Sequence, residues 1–162
     1  MNRKRSLLPW VIVGAIVALV AAFFLTEDRR SDVELIREAF NESVEASKEG
    51  RPGGVMDLIS ANFRINDESP SRNQIADVIR RSRPDVEVVQ FDPIIRGDQA
   101  TVVSPVRLEA SVLTQRMKFA FEDVRLTFQR EPGTRWLFFP TRRWRLVQVQ
   151  VPPEQLPEGL QL

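Results

Sequence analysis

Two adjacent carboxylates, Glu122 and Asp123, are the residues of this 162-residue chain best placed for chemistry. They fall where the apolar alternation of a predicted strand changes parity, and such a change predicts a β-bulge. A bulge can turn a side chain into a pocket, and a carboxylate held there could have the raised pKa that suits a general base. A solvated bulge is the competing interpretation.

Three further charged residues could complete a polar pocket with these carboxylates. They are Asp57, Arg107 and Arg125. Carboxylates beside arginines form hydrogen-bonded pairs that can orient a small polar ligand. No spacing in the sequence brings the three together, so each is explained equally well as a surface charge.

A second candidate surface for a ligand or protein partner combines aromatic residues with arginines near the end of the chain. Phe138 and Phe139 are adjacent, and neighbouring residues of a strand point to opposite faces, so one of them can be exposed. Arg142 and Arg143 follow closely, and Arg107 joins them as a candidate binding residue. A core role for both aromatics is the alternative.

The residue types that are missing restrict the chemistry more than those present. The chain contains no cysteine, histidine or tyrosine, which excludes disulfides, thiolate and histidine catalysis, and cysteine-ligated or histidine-ligated metals. Its formal net charge is +1, which gives no reason to expect nucleic-acid binding. We therefore predict no metal site and no cofactor, and the composition favours a binding module over an enzyme.

The average composition conceals a membrane segment followed by a polar domain. Residues 7–25 contain no charge, and 17 of these 19 residues are apolar. At about 1.5 Å per residue, such a helix spans roughly 28 Å, close to the thickness of the bilayer hydrocarbon. Three of the 23 basic residues precede this run, and all 22 acidic residues follow it. The part of the chain after the run therefore has a formal net charge of about −2.

We interpret this segment as an uncleaved anchor. A signal peptide cleaved after Ala22 is the alternative, but its apolar core would be shorter than this one. Three basic residues precede the apolar run, and two, Arg29 and Arg30, follow it. Because the more basic flank of a membrane helix stays in the cytoplasm, we predict a cytoplasmic N-terminus and a C-terminal domain outside the cell membrane. The predicted organisation is a basic tip (1–6), a transmembrane helix (7–25), a linker (26–30), a domain (31–151) and an irregular tail (152–162).

The first part of the domain has helical periodicity. Ser31 and Glu34 form a capping-box pattern that opens a helix ending near Gly50, and a short helix is predicted over 54–61, followed by a brief strand over 63–65. A second capping box, Ser71 with Gln74, opens a third helix that Pro84 ends.

The second part is predicted to be strands. Segments 86–91 and 94–95 precede a half-buried strand over 100–112, in which Pro105 indicates a sheet edge or a bulge. Residues 130–134 are typical of a hairpin turn, and strands over 136–139 and 144–151 follow, interrupted at 140–143. Helices followed by strands indicate an α+β domain, with three helices packed on a curved, mostly antiparallel sheet.

This order of elements, with the segments GDQATVV, VRLTFQREPG and WRLVQVQV, resembles the nuclear transport factor two-like superfamily, which has a cone-shaped, cystatin-like fold. The resemblance covers Ser31 to Val151. It implies a pocket between the third helix and the sheet, and dimers formed through the sheet. Enzymes of the superfamily use histidine–aspartate pairs with tyrosines, an aspartate with a tyrosine, or an aspartate–arginine–aspartate set, and only the last type can be assembled here.

Two functional hypotheses follow from these observations. The first is a membrane-anchored, exported, non-enzymatic module that binds itself, as a homodimer, or another membrane or exported protein. The second is a small-ligand binder, or a weak carboxylate and arginine hydrolase or isomerase, with a pocket under the curved sheet.

Overall fold

Three helices and six strands form the domain in a computed structural model, which describes residues 31–112, 115–135 and 139–155. The predicted membrane segment lies outside these residues, and none of the helices within them is long and apolar enough to cross a bilayer. The elements are α1 (Asp32–Lys48), α2 (Pro52–Leu58), β1 (Ile59–Ile65), α3 (Arg72–Ser82), β2 (Asp85–Val88), β3 (Ile94–Arg96), β4 (Gln99–Val112), β5 (Gln115–Arg135) and β6 (Phe139–Gln150).

Local signals in the sequence set the ends of the first and third helices. Gly50 follows α1 with a φ of +71°, and the N–H of Arg51 donates to the carbonyl of Ala46, as in a Schellman C-cap. The predicted capping box of α3 is confirmed, because Ser71 and Gln74 exchange side-chain and main-chain hydrogen bonds of 3.2 and 2.8 Å. The helix ends before Pro84, as expected.

The short helix lies earlier in the chain than predicted. It begins at Pro52, which has no N–H to leave unpaired in the first helical turn. The backbone of Ile59 is already extended, and β1 starts there instead of at residue 63. Strand β2 is likewise shorter than the predicted 86–91 segment, ending at Val88.

The sheet is mixed, with the strand order β1-β6-β5-β4-β2 and with β3 also paired to β4. Strand β1 runs parallel to β6, and the other pairs described are antiparallel. The helices cover the face on which the even-numbered residues of β4 lie. Ile36 and Phe40 of α1 and Leu58 of α2 pack there against Val102 and Phe128. The predicted α+β class is confirmed.

The predicted bulge in β5 is present. Phe121 pairs with Val106 and Val124 pairs with Ser104, so Glu122 and Asp123 together lie opposite the single residue Pro105. The extra residue keeps the apolar residues on both sides of the bulge facing the helices. Pro105 therefore sits at a bulge, as one of its two interpretations required, but not at a sheet edge, because β4 has strands on both sides.

The predicted turn at residues 130–134 is wrong. Strand β5 continues to Arg135, and β6 runs without interruption from Phe139 through the 140–143 segment. The pairing of β4 with β5 ends at Gln129, so the rest of β5 lies at an edge, where Pro132 removes no hydrogen bond from a β4 neighbour. Turn-forming residue types are therefore tolerated within this hairpin.

Candidate functional site

The two carboxylates at the bulge are exposed. The main-chain N–H of Glu122 donates to Oε1 of Gln155 at 2.5 Å, which ties the bulge to the segment after β6. Asp123 has a φ of +54°, in the left-handed region. The bulge thus presents both side chains to solvent instead of enclosing them in a pocket.

The other charged residues proposed for the same pocket lie apart from one another. Asp57 is exposed at the end of α2, and its carbonyl oxygen accepts a 3.0 Å hydrogen bond from Nη1 of Arg145. Arg125 is exposed on β5, beyond the bulge, where it pairs with Val103 on one side and Gln150 on the other. These residues do not form one pocket with Arg107.

Arg107 does line a cavity, which lies between α1, β2 and β4 and has a volume of about 360 Å³. Phe40 and Phe91 form part of its apolar wall, with ring centroids 4.8 Å apart. Arg107 lies at the polar side of the cavity, with Nη1 3.2 Å from Oε2 of Glu87. This cavity is at the β2 edge of the sheet, and sequence reasoning selected only Arg107 among its residues.

Charged groups around the cavity are paired. Nζ of Lys48 lies 3.3 Å from Oδ1 of Asp85, and this hydrogen bond and charge raise the pKa of Lys48. Lys118 Nζ lies 2.6 Å from Oε1 of Glu109, and that hydrogen bond lowers the pKa of Glu109. Both pairs are at the surface, where solvent weakens such interactions.

A half-exposed apolar surface occupies the end of the β4–β5 hairpin. We call it the distal patch and define it as Leu108, Met117, Phe119 and Phe121. Phe119 pairs with Leu108 across the strands and its ring stacks on that of Phe121, with centroids 6.4 Å apart. The helices leave this end of the core face partly uncovered, and Met117 is 42% exposed. Alternation predicted an apolar face here but not its exposure.

The β5 edge beside the distal patch is open. Strand β6 first pairs with β5 at Arg125, so residues 115–121 pair with β4 on one side only. In the described part of the chain, no strand covers the other side of these residues. Unpaired main-chain groups at such an edge can pair with another strand.

A polar cluster that sequence analysis did not select joins α1 to the β5–β6 hairpin. Oδ1 of Asp32 accepts a 3.0 Å hydrogen bond from Nε1 of Trp144, and Arg130 donates to the other carboxylate oxygen. The guanidinium of Arg130 also lies over the Trp144 ring, 4.8 Å from its centre. The three residues come from opposite ends of the domain, and no local pattern links them.

The aromatic and arginine candidates lie in the part of this hairpin beyond Arg130. Phe139 pairs with Arg135, Arg142 with Pro132 and exposed Arg143 with Glu131. Phe138 lies outside the described residues. Binding by these four residues stays a prediction.

Comparisons with known proteins identify the fold. Neither a protein-family model nor a curated protein matches the sequence. Among solved structures, an NTF2-like superfamily protein from Salmonella enterica serovar Typhimurium has a TM-score of 0.56 at 14% identity, covering 74% of this chain and 89% of its own. An NTF2-like protein with a cystatin-like fold from Novosphingobium aromaticivorans has a TM-score of 0.52 at 19% identity, covering 82% and 86%. An NTF2-like protein from Cytophaga hutchinsonii has a TM-score of 0.54 at 11% identity, covering 75% and 98%.

At these identities the likeness concerns the fold alone. The domain described here has the NTF2-like, cystatin-like fold that its sequence resembles.

Proposed function

We propose that this protein is a single-pass, membrane-anchored and exported binding module that acts without catalysis in protein–protein or self interaction. The apolar run over 7–25 supports the anchor, and the positive flank before it supports export of the domain. The absence of histidine, cysteine and tyrosine supports binding over catalysis.

The distal patch beside the open β5 edge is the observation that carries this proposal. Apolar side chains left half-exposed next to unpaired main-chain groups give a partner both area to bury and hydrogen bonds to make. The bulge carboxylates offer no comparable enclosed site. A protein surface therefore fits the available geometry better than a small substrate does.

Photo-crosslinking in cells tests this function. A photoreactive phenylalanine replaces Met117 in the full-length chain, and the membrane fraction is analysed after illumination. We expect a discrete protein adduct from this position. The control places the same residue at Ile94, which is 64% exposed but lies on the short strand β3, away from the distal patch. A lack of adducts at Met117, or equal adducts at both positions, would contradict the proposal.

The cavity between α1, β2 and β4 favours a second candidate function, the binding of a small ligand. Its aromatic wall and paired charges suit a molecule with an apolar body and a polar group, which Arg107 would contact. Native mass spectrometry of the full chain released from membranes tests this function. A bound molecule that is lost on replacing Val44, a cavity residue, by tryptophan would support it.

A further inference from the structure

The open edge of β5 has a fixed pattern of hydrogen-bonding groups. The N–H of Glu122 points away from β4, because it donates to Gln155 in the segment that follows β6. Alternate residues of a strand direct their main-chain groups to opposite sides, so Arg116, Lys118 and Ala120 also present theirs at the open edge. Residues 117, 119 and 121 are then the positions that make no hydrogen bonds to an added strand.

The side chains along this edge separate into two faces. Met117, Phe119 and Phe121 lie on the face of the distal patch, whereas Arg116 and Lys118 are exposed on the opposite face with side-chain exposures of 64% and 75%. A second copy of the same strand, added in antiparallel orientation, pairs residues whose numbers have a constant sum, so the facing charges and the available main-chain hydrogen bonds together determine which two-fold register is favourable.

We propose that two copies of this chain join through β5, in an antiparallel pair centred on Phe119. In this register Arg116 lies opposite Glu122 of the second copy, which brings opposite charges together. Lys118 lies opposite Ala120 of the second copy, so no like charges meet. Met117 lies opposite Phe121 of the second copy, and the two distal patches become one apolar surface.

The neighbouring registers are less favourable. A pair centred on Lys118 places two lysine ammonium groups directly opposite each other, which destabilises a strand pair. In a pair centred on Ala120, Glu122 lies within the paired segment, and its N–H would have to donate to the second copy. That N–H already donates to Gln155. The register centred on Phe119 needs Glu122 only at the end of the ladder. Anchoring of both copies in one membrane would raise their effective concentration.

Disulfide crosslinking tests this register, because the chain has no cysteine of its own. Directly opposite residues at positions without hydrogen bonds have Cα atoms about 4.5 Å apart, within the range that a disulfide bridges. In membranes containing the full-length chain, oxidation should link Phe119→Cys to itself. Met117→Cys should link to Phe121→Cys when the two variants are co-expressed, and neither should link to itself.

A charge-swap series on the Phe119→Cys background provides a second, independent measurement. Arg116→Glu and Glu122→Arg should each reduce the crosslinked fraction by about threefold or more, and the double variant should restore it, because opposite charges again face each other. The rescue separates pairing between copies from the contact that Arg116 makes with Glu109 within one copy, at 3.8 Å.

This inference rests on the proposed function, and the experiments separate their failures. Crosslinks of Met117→Cys with Phe119→Cys, or of Phe119→Cys with Phe121→Cys, would overturn the register. Absence of every crosslink, with normal amounts of the chain in the membrane, would overturn the pairing of two copies. A photo-adduct of another protein at Met117 would then leave the binding module standing with a different partner.

Discussion

Asp32 accepts hydrogen bonds from two side chains, Arg130 and Trp144, that lie 98 and 112 positions further along the chain. The Arg130 side chain is only 20% exposed, and it also approaches Asp98 at 3.6 Å. One carboxylate therefore satisfies an indole N–H and a largely buried guanidinium at the start of α1. No spacing or alternation pattern in the sequence predicts this contact, because its three residues are far apart along the chain.

Replacing Asp32 by alanine should destabilise the domain more than replacing Asp98. The Asp32→Ala change leaves Trp144 and Arg130 without their shared acceptor, and we expect a loss of about 1–3 kcal/mol in the free energy of unfolding. Asp98 is itself 68% exposed and makes only a longer contact to Arg130, so for Asp98→Ala we expect a loss of less than about 1 kcal/mol. Denaturant unfolding of the full chain in mild detergent measures both, and equal losses would show that Asp32 is an ordinary surface residue.

At the scale of helices and strands, the alternation of apolar residues was most informative where its parity changed. Odd apolar positions up to Phe121 and even ones from Val124 predicted the bulge, because a sheet with one buried face cannot accommodate a parity change otherwise. Residue composition led to a wrong prediction where the position of a segment in the sheet determines its structure. Pro132 and Gly133 are typical of a turn, but they lie in a part of β5 that has no β4 neighbour, and there the strand tolerates them. The exposure of the distal patch depends on how much of the sheet the helices cover, and the alternation of residues along a strand does not predict this.

The left-handed backbone of Asp123 leads to a prediction about this bulge. Glycine adopts a φ of +54° without strain and aspartate tolerates it, whereas a β-branched residue does not. We expect Asp123→Val to lower the free energy of unfolding by about 1–3 kcal/mol and Asp123→Gly to change it by less than about 1 kcal/mol. The same denaturant unfolding measures the two variants. Equal effects of valine and glycine would mean that the bulge relaxes to another backbone geometry.

For the whole molecule, the class of fold followed from the order of helical and strand-like segments, and the structural likenesses confirm it. The candidate sites were less predictable. Arg107 lines a cavity, but that cavity is formed by α1 and the edge strand β2, whose proximity depends on tertiary packing, and it contains none of the residues that were predicted to join Arg107. The open edge of β5 depends on where β6 stops pairing, which is a property of the complete sheet.

The direction of membrane insertion is a prediction for the whole chain. A fluorescent protein and an alkaline phosphatase are fused separately after Leu162. We expect the phosphatase to be active and the fluorescent protein to be dark, because the basic residues before the apolar run favour a cytoplasmic N-terminus. Reversing the charges of Arg3, Lys4 and Arg5 should reduce phosphatase activity. A bright fluorescent fusion would place the domain on the cytoplasmic side.

The parallel pairing of β1 with β6 has a consequence for folding of the chain during its synthesis. Ile59 meets Leu146 across these strands, and Ile36 and Phe40 of α1 share the core with Trp144 and Leu146. A chain synthesised from its N-terminus must therefore carry α1 and β1 without their β6 partners until residues 144–146 have been added. The core closes only after β6 has been synthesised, and until then the apolar segments that precede it lack these partners.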